Sequence, residues 1–331
     1  MACPPAAQVL DEATWQVRRA AHEARVDEWT APHLERRRRG EPHPVEDFLF
    51  TYYSHRPAAL RRWHPGFGVA LTGPSAADYV GLKGYAEVST SSTGRDVSTG
   101  RDAGAFGVST SSTSRDLSTG RDVVAVSVDY VRSQRPLLEA LYRLLRATAA
   151  RPAQLGCFGM HEWAMVYRLG QSEVRHADWP LRLGQDGTDA VVEGHRISCS
   201  HFDAFRFFTD AARPLNRLRP RSDDREAYEQ PGCLHAGMDL YKHAYRLSPM
   251  VGSEVVADCF ALARDIRVLD MRASPYDLSG LGYPPVRVET PEGKQEYVAA
   301  QREFAERGAP LRARLVGECE RLLEVASAKE D

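Results

Sequence analysis

A nearly continuous apolar run in the middle of the chain, residues 156–168, carries an adjacent histidine and glutamate, His161 and Glu162. Its apolar side chains would surround almost the whole circumference of a helix, and a helix that is apolar on every side is buried. A buried ionisable pair must be hydrogen-bonded, ion-paired or bound to a metal, because leaving it unpaired costs several kcal/mol. The run therefore predicts a buried helix and makes this pair the first candidate for chemistry.

The overall composition indicates a globular protein. Hydrophobic residues make up 43% and charged residues 27% of the 331 positions, which is typical of soluble domains. The net charge of −2 argues against a protein that coats nucleic acid but leaves room for a local basic groove. The six cysteines form no C-x-x-C pair, so no zinc-finger or thioredoxin motif is predicted. Without a leader or an apolar span, we expect a cytoplasmic protein with no membrane or protein partner.

Helical periodicity dominates the chain and predicts a mainly α (α+β) fold with a bundle-like core. The first predicted helix is capped by Asp11 and broken near Pro32. Further helices are predicted at 45–53, 137–145, 254–271 and 296–324, and the last of these is interrupted at 308–310. The dipeptide Asp186-Gly187 between two strand-like runs predicts a small β-hairpin. A short strand is predicted at 286–290.

A duplicated polar segment interrupts this pattern. Residues 88–102 return as 108–122 with 13 of 15 positions identical, and their Ser, Thr, Gly, Arg and Asp content cannot bury a core. Two copies are too few for a solenoid. We therefore expect a single globular domain, residues 1–331, with a disordered low-complexity loop insertion at 86–123.

Three further stretches carry candidate functional groups. In a helix, His235, Asp239 and His243 would lie on one ridge, as metal ligands or as a structural hydrogen-bond ladder. Four consecutive arginines, 36–39, suit either phosphate contact or a solvated helix end, and the latter is favoured. Arg217 lies in a loop of arginines and prolines that could follow phosphates or be simply solvated.

The stretch 200–209 combines ionisable and aromatic residues. His201 and Asp203 would share a strand face, or Asp203 would cap a following helix. The aromatic residues at 202, 205, 207 and 208 could stack on a flat substrate such as a nucleobase. At least two of the four are expected in the core instead.

Residues 44–53, 157–168, 201–216, 231–245 and 265–297 resemble a family of actinobacterial proteins commonly labelled 3-methyladenine DNA glycosylase. The resemblance covers most of the chain apart from the Ser/Thr repeat. It implies a hydrolase that needs no cofactor, acts on DNA and cleaves the N-glycosidic bond of an alkylated base. Leu278-Ser-Gly-Leu-Gly282 matches the glycines of a helix-hairpin-helix motif, but the next residues are predicted to be extended, so that motif is not assigned.

Such a reaction needs a carboxylate to activate water and an aromatic pocket for the flipped base. The catalytic candidates are Glu162, Asp203 and Asp239, with His161 beside them. The candidates for substrate binding are Trp163, Phe202, Phe205, Arg206, Tyr241 and Arg217.

Two other functions remain open. A helical metal-dependent enzyme, a non-haem iron oxygenase or a metallohydrolase, would hold a divalent iron or zinc ion through His161, Glu162, His201, His235 and Asp239. A non-catalytic binding protein would use the same buried groups only to lock its helices together.

Overall fold

Helices form most of the structure, a computed structural model that describes residues 8–89, 122–170, 173 and 178–328. The helices are α1 (Glu12–Arg39), α2 (Phe48–Tyr52), α3 (Pro57–Arg61), α4 (Val128–Ser133), α5 (Arg135–Ala149), α6 (Met160–Ala164), α7 (Gly184–Gly194), α8 (Phe202–Phe205), α9 (Arg225–Tyr228), α10 (Leu234–Arg246), α11 (Ser253–Arg272) and α12 (Pro291–Ser327). The predicted class, mainly α with a small β part, is confirmed. In the described part of the chain, no helix has the length and apolar character that a membrane span requires.

Four short strands form one sheet: β1 (Gln8–Leu10), β2 (Val69–Leu71), β3 (Tyr85–Ser89) and β4 (Asp122–Val126). Their order is β1-β2-β4-β3, with β1 parallel to β2 and the other neighbours antiparallel. The predicted bounds of the insertion, 86–123, are therefore too wide, because residues 86–89 and 122–123 pair with each other in β3 and β4. The rest of that insertion, with its predicted disorder, lies outside the described residues.

The main core lies where α10, α11 and α12 pack together, with α5 against α12. The predicted apolar face of α11 is buried, and it consists of Val255, Val256, Cys259, Phe260, Leu262, Ala263, Ile266 and Leu269. A Cβ atom at Gly237 of α10 would lie 2.7 Å from the Ile266 Cδ1. Glycine therefore allows α10 and α11 to approach closely, which brings polar groups on both helices together.

The hairpin predicted around Asp186-Gly187 is wrong, because these residues lie inside α7. Thr188 and Val192, four residues apart, are its buried positions, and the Thr188 hydroxyl donates to the Gly184 carbonyl at 2.7 Å. Burial at helical spacing here outweighs the turn preference of Asp-Gly. The strand predicted at 286–290 is also wrong, since this segment is an irregular turn.

Both predicted helix interruptions are also wrong. Helix α1 continues through Pro32 to Arg39, and α12 continues through Pro310. The start of α1 is as predicted, because the Asp11 carboxylate accepts a hydrogen bond from the Thr14 amide at 2.8 Å. Buried side chains on both sides of Pro32, those of Thr30 and His33, hold the helix together across the proline.

Candidate functional site

The apolar run of residues 156–168 contains the short helix α6, whose five side chains are all buried. Gly159 precedes it with φ of 67°, in the left-handed region that favours glycine. The Trp163 indole donates to the Ala273 carbonyl at 2.9 Å and ties α6 to the end of α11. The predicted burial of His161 and Glu162 is confirmed, and both face α11.

Four ionisable side chains, His161, Glu162, Arg267 and Asp270, meet here and are called the buried centre. Arg267 donates from Nη1 to Glu162 Oε1 at 2.9 Å and to Asp270 Oδ2 at 2.8 Å. The His161 Nε2 lies 3.0 Å from Asp270 Oδ1 and 3.9 Å from Glu162 Oε1. Because Arg267 is 1% exposed and Asp270 0%, water does not balance their charges. They must be neutralised by one another or by a bound ion.

Three buried atoms of this centre, His161 Nε2, Asp270 Oδ1 and Arg267 Nε, have no hydrogen-bond partner among the described residues. The first two of these atoms lie 3.0 Å apart, within the distance of an ion pair. Burial alone would lower the pKa of His161, yet the charges of Asp270 and Glu162 raise it above its ordinary value. Burial alone would raise the pKa of Asp270, but His161 and Arg267 hold it well below its usual range. Asp270 is therefore ionised.

His235 of α10 lies beside the centre, with its ring centroid 4.4 Å from that of His161 and the two planes at 87°. Burial holds the pKa of His235 well below its ordinary value, so this imidazole is neutral. Both rings line a cavity of about 20 Å³, together with the thiols of Cys157, Cys199 and Cys233. Such a volume holds about one water molecule.

Asp239 belongs to a separate group of charges, one turn further along α10. Its Oδ1 accepts from the Tyr53 hydroxyl at 2.9 Å, and its Oδ2 accepts from Arg225 at 2.9 Å and Lys242 at 2.5 Å. The Lys242 ammonium also donates to Asp203 at 3.0 Å. Both carboxylates therefore already have cationic partners.

His201 connects the two groups. Its Nε2 lies 3.4 Å from Asp239 Oδ2, and its ring centroid is 5.3 Å from that of His235. The five metal ligands predicted from the sequence therefore do not form one ligand set. His161 and Glu162 meet in the buried centre, His201 and Asp239 lie in the second group, and His235 lies between them.

The predicted substrate-binding side chains divide between the main core and the surface. Trp163, Phe205 and Tyr241 are core residues, at 0%, 7% and 0% exposure, and so are not pocket walls. Their burial follows from their apolar surroundings. Phe202 is half-buried, and Arg206 and Arg217 are exposed.

A groove of about 810 Å³ opens beside the buried centre, between the end of α1 and α2. Its planar side chains are those of His33, His43, Phe48, Tyr52 and Trp179. The rings of Phe48 and Tyr52 stack with their centroids 4.9 Å apart and their planes at 11°. The Arg267 guanidinium lies 3.7 Å from the Phe48 centroid, so this ring separates the groove from the buried centre.

The basic run at the end of α1 borders the same groove. Arg36 pairs with Asp47, while Arg38 and Arg39 pair with Glu35. The Arg37 side chain lines the groove, is exposed, and has no ion pair with the described residues.

No protein-family model, curated protein or solved structure gives a significant match to this chain. The chemistry of the site is therefore inferred from its own side chains. Sequence reasoning missed two of them, Arg267 and Asp270, which lie more than a hundred positions from His161 along the chain. A signal was present, because Asp270 falls within the apolar face of α11, and a charge on a buried face requires a partner.

Proposed function

We propose that this protein is a hydrolase that cleaves the N-glycosidic bond of an alkylated base in DNA. The supporting observation is the aromatic groove lying directly against a buried centre that contains Glu162. The family resemblance points to the same reaction. In this proposal the stacking surface consists of Phe48, Tyr52 and Trp179. The sequence had predicted Trp163, Phe205 and Tyr241 for that role.

The groove has the size and the side chains that a flipped nucleotide needs. Its volume lies within the range of small-molecule sites, and an extruded base is stabilised by stacking on aromatic rings. The exposed Arg37 at its rim can contact a phosphate, and the neighbouring Arg38 and Arg39 extend the positive surface along the end of α1.

The charges of the buried centre suit the reaction. Cleavage of an N-glycosidic bond passes through a transition state with oxocarbenium character, so positive charge develops on the sugar. Glu162 and Asp270 supply two carboxylates, and Arg267 and the protonated His161 lie beside them. A carboxylate held in a dry setting stabilises such a cation more strongly than the same carboxylate in water.

Release of methylated bases from treated duplex DNA, followed by chromatography, tests this proposal. The wild-type chain should release free base, and Glu162→Gln should lower the rate by at least about 100-fold. Glu139→Gln, which removes an exposed carboxylate on α5, is the matched control and should leave the rate unchanged. DNA affinity should fall steeply as the salt concentration rises. Arg37→Ala should make the plot of log affinity against log salt less steep, by the amount expected for about one lost phosphate contact. If the wild-type chain releases no base, the glycosylase proposal is wrong.

A non-catalytic binding protein is the second candidate. The observation that favours it is the full pairing of Asp239 and Asp203 with cationic groups, which is typical of charges that hold helices together. This candidate function predicts a ligand that binds in the groove and dissociates without being chemically changed. A DNA affinity retained by Glu162→Gln, without base release by either form, would support it.

A further inference from the structure

We propose that the buried centre binds one divalent transition-metal ion, zinc or ferrous iron in character, through His161, Glu162 and Asp270. Asp270 does not belong to the ligand set expected from the sequence, and the second group around Asp239 is excluded from the site. The proposal rests on the positions of these side chains and is independent of the bond that the protein cleaves.

The three donor groups are already placed at the spacing of metal ligands. One ligand atom from each lies within 4.8 Å of the others, and all three residues are buried. The His161 Nε2 lies 3.0 Å from Asp270 Oδ1 and 3.9 Å from Glu162 Oε1. With metal–ligand bonds of about 2.1 Å, these distances correspond to ligand–metal–ligand angles of about 90° and about 135°. Both angles occur in distorted tetrahedral or five-coordinate sites, and a donor pair near the 4.8 Å limit of the set must approach to about 4.2 Å, twice that bond length, to share one ion.

The unsatisfied atoms point to the same position. The His161 Nε2 and Asp270 Oδ1 are the two closest donors of the set, and neither makes a hydrogen bond with the described residues. Buried polar atoms without a partner are rare and call for a ligand, because each costs its full desolvation penalty. A shared cation satisfies both atoms at once.

Arg267 orients the ligands without blocking that position. It donates to Oδ2 of Asp270 and so fixes the carboxylate while leaving Oδ1 available. It also donates to Glu162 Oε1, so the ion and the guanidinium share this carboxylate. The guanidinium itself is held by the Phe48 ring and by the Pro44 carbonyl at 3.4 Å.

The donor types select the class of metal. One imidazole and two carboxylates suit zinc, iron or manganese, whereas calcium and magnesium prefer all-oxygen sites and cuprous copper prefers sulfur. The three cavity thiols are outside the group of mutually close donors. The one-water cavity on the His161 side provides the open coordination position of a catalytic rather than a structural site.

Metal titration of the full-length chain tests the proposal. After dialysis against a chelator, zinc is added in competition with a chromophoric chelator, and bound metal is counted by elemental analysis. We expect one ion per chain, and at least about a 100-fold loss of affinity in His161→Gln and Asp270→Asn. The matched control is Asp265→Asn, an exposed carboxylate on the same helix, paired with Arg307, which should bind as the wild type does.

Cobalt substitution gives a readout that does not depend on a variant that may be unstable. The cobalt-loaded wild type should show the absorption of a nitrogen and oxygen site without a thiolate charge-transfer band. A stoichiometry near zero, equal zinc affinity in Asp270→Asn and the wild type, or a strong thiolate band would each overturn the assignment. Because no step measures base release, failure of the glycosylase proposal leaves this test unaffected.

Discussion

Replacing Arg267 with methionine tests whether the buried centre depends on internal charge balance. The side chain is 1% exposed, and its Nη1 is within 2.9 Å of two carboxylates, so Arg267→Met leaves Glu162 and Asp270 with His161 as their remaining basic neighbour. Removing one partner of a buried ion pair costs about 3–5 kcal/mol. Loss of the stacking on Phe48 adds about 0.5–2 kcal/mol.

This cost is a large part of the stability of a typical domain, about 5–15 kcal/mol. Urea unfolding followed by far-UV circular dichroism, in the presence of a chelator, measures it directly. The matched control is Arg264→Met, one turn earlier on α11, because Arg264 makes a more exposed ion pair with Glu46. Its loss should stay below about 1 kcal/mol.

A second substitution separates charge from packing. Adding Glu162→Gln to Arg267→Met removes one of the two stranded charges and should restore at least about 1 kcal/mol of the lost stability. Zinc should also stabilise the single variant more than the wild type, because the ion then takes the place of the missing cation. If Arg267→Met loses no more stability than Arg264→Met, the electrostatic account of this centre is wrong.

Three other substitutions or conditions have defined outcomes. Gly293→Ala should destabilise the protein by about 2 kcal/mol or more in urea unfolding, because its Cβ would lie 1.9 Å from the Arg287 carbonyl, despite the better helix propensity of alanine. Burial lowers the pKa of His64 to about 4, so the folded state should lose up to about 3 kcal/mol as pH falls from about 6.5 to 4. His64→Gln should make the stability less dependent on pH in this range. An unchanged dependence would contradict the role given to His64. Asp11→Ala should lower the midpoint of thermal unfolding through loss of the α1 cap, and an unchanged midpoint would show that the cap does not stabilise the helix.

The sequence predicted the helical class and the long amphipathic helices because those depend on local periodicity. It failed where packing between distant segments decides. Asp186-Gly187 has strong turn chemistry, yet the burial of Thr188 and Val192 at helical spacing makes this segment α7. The predicted insertion, 86–123, included most of β3 and the first two residues of β4, although the β-branched residues from Val123 onward indicate a strand.

The candidate site shows the same division. The apolar surroundings of His161 and Glu162 were sufficient to predict a buried ionisable pair. Their partners, Arg267 and Asp270, come from a helix far along the chain, and pairing across that distance leaves no periodic signal. His235, Asp239 and His243 all lie on α10, as the predicted ridge requires, but His235 and Asp239 face different groups of charges.

The hairpin of β3 and β4 has a practical consequence. Ser89 and Asp122 are the last register partners of these strands, so the two residues that flank the segment 90–121 lie next to each other. The cost of closing a loop grows only with the logarithm of its length, about 0.6 kcal/mol per doubling. We therefore expect that inserting a reporter domain between these two residues, or shortening the segment between them, changes this closure term by only a small part of a typical domain's stability.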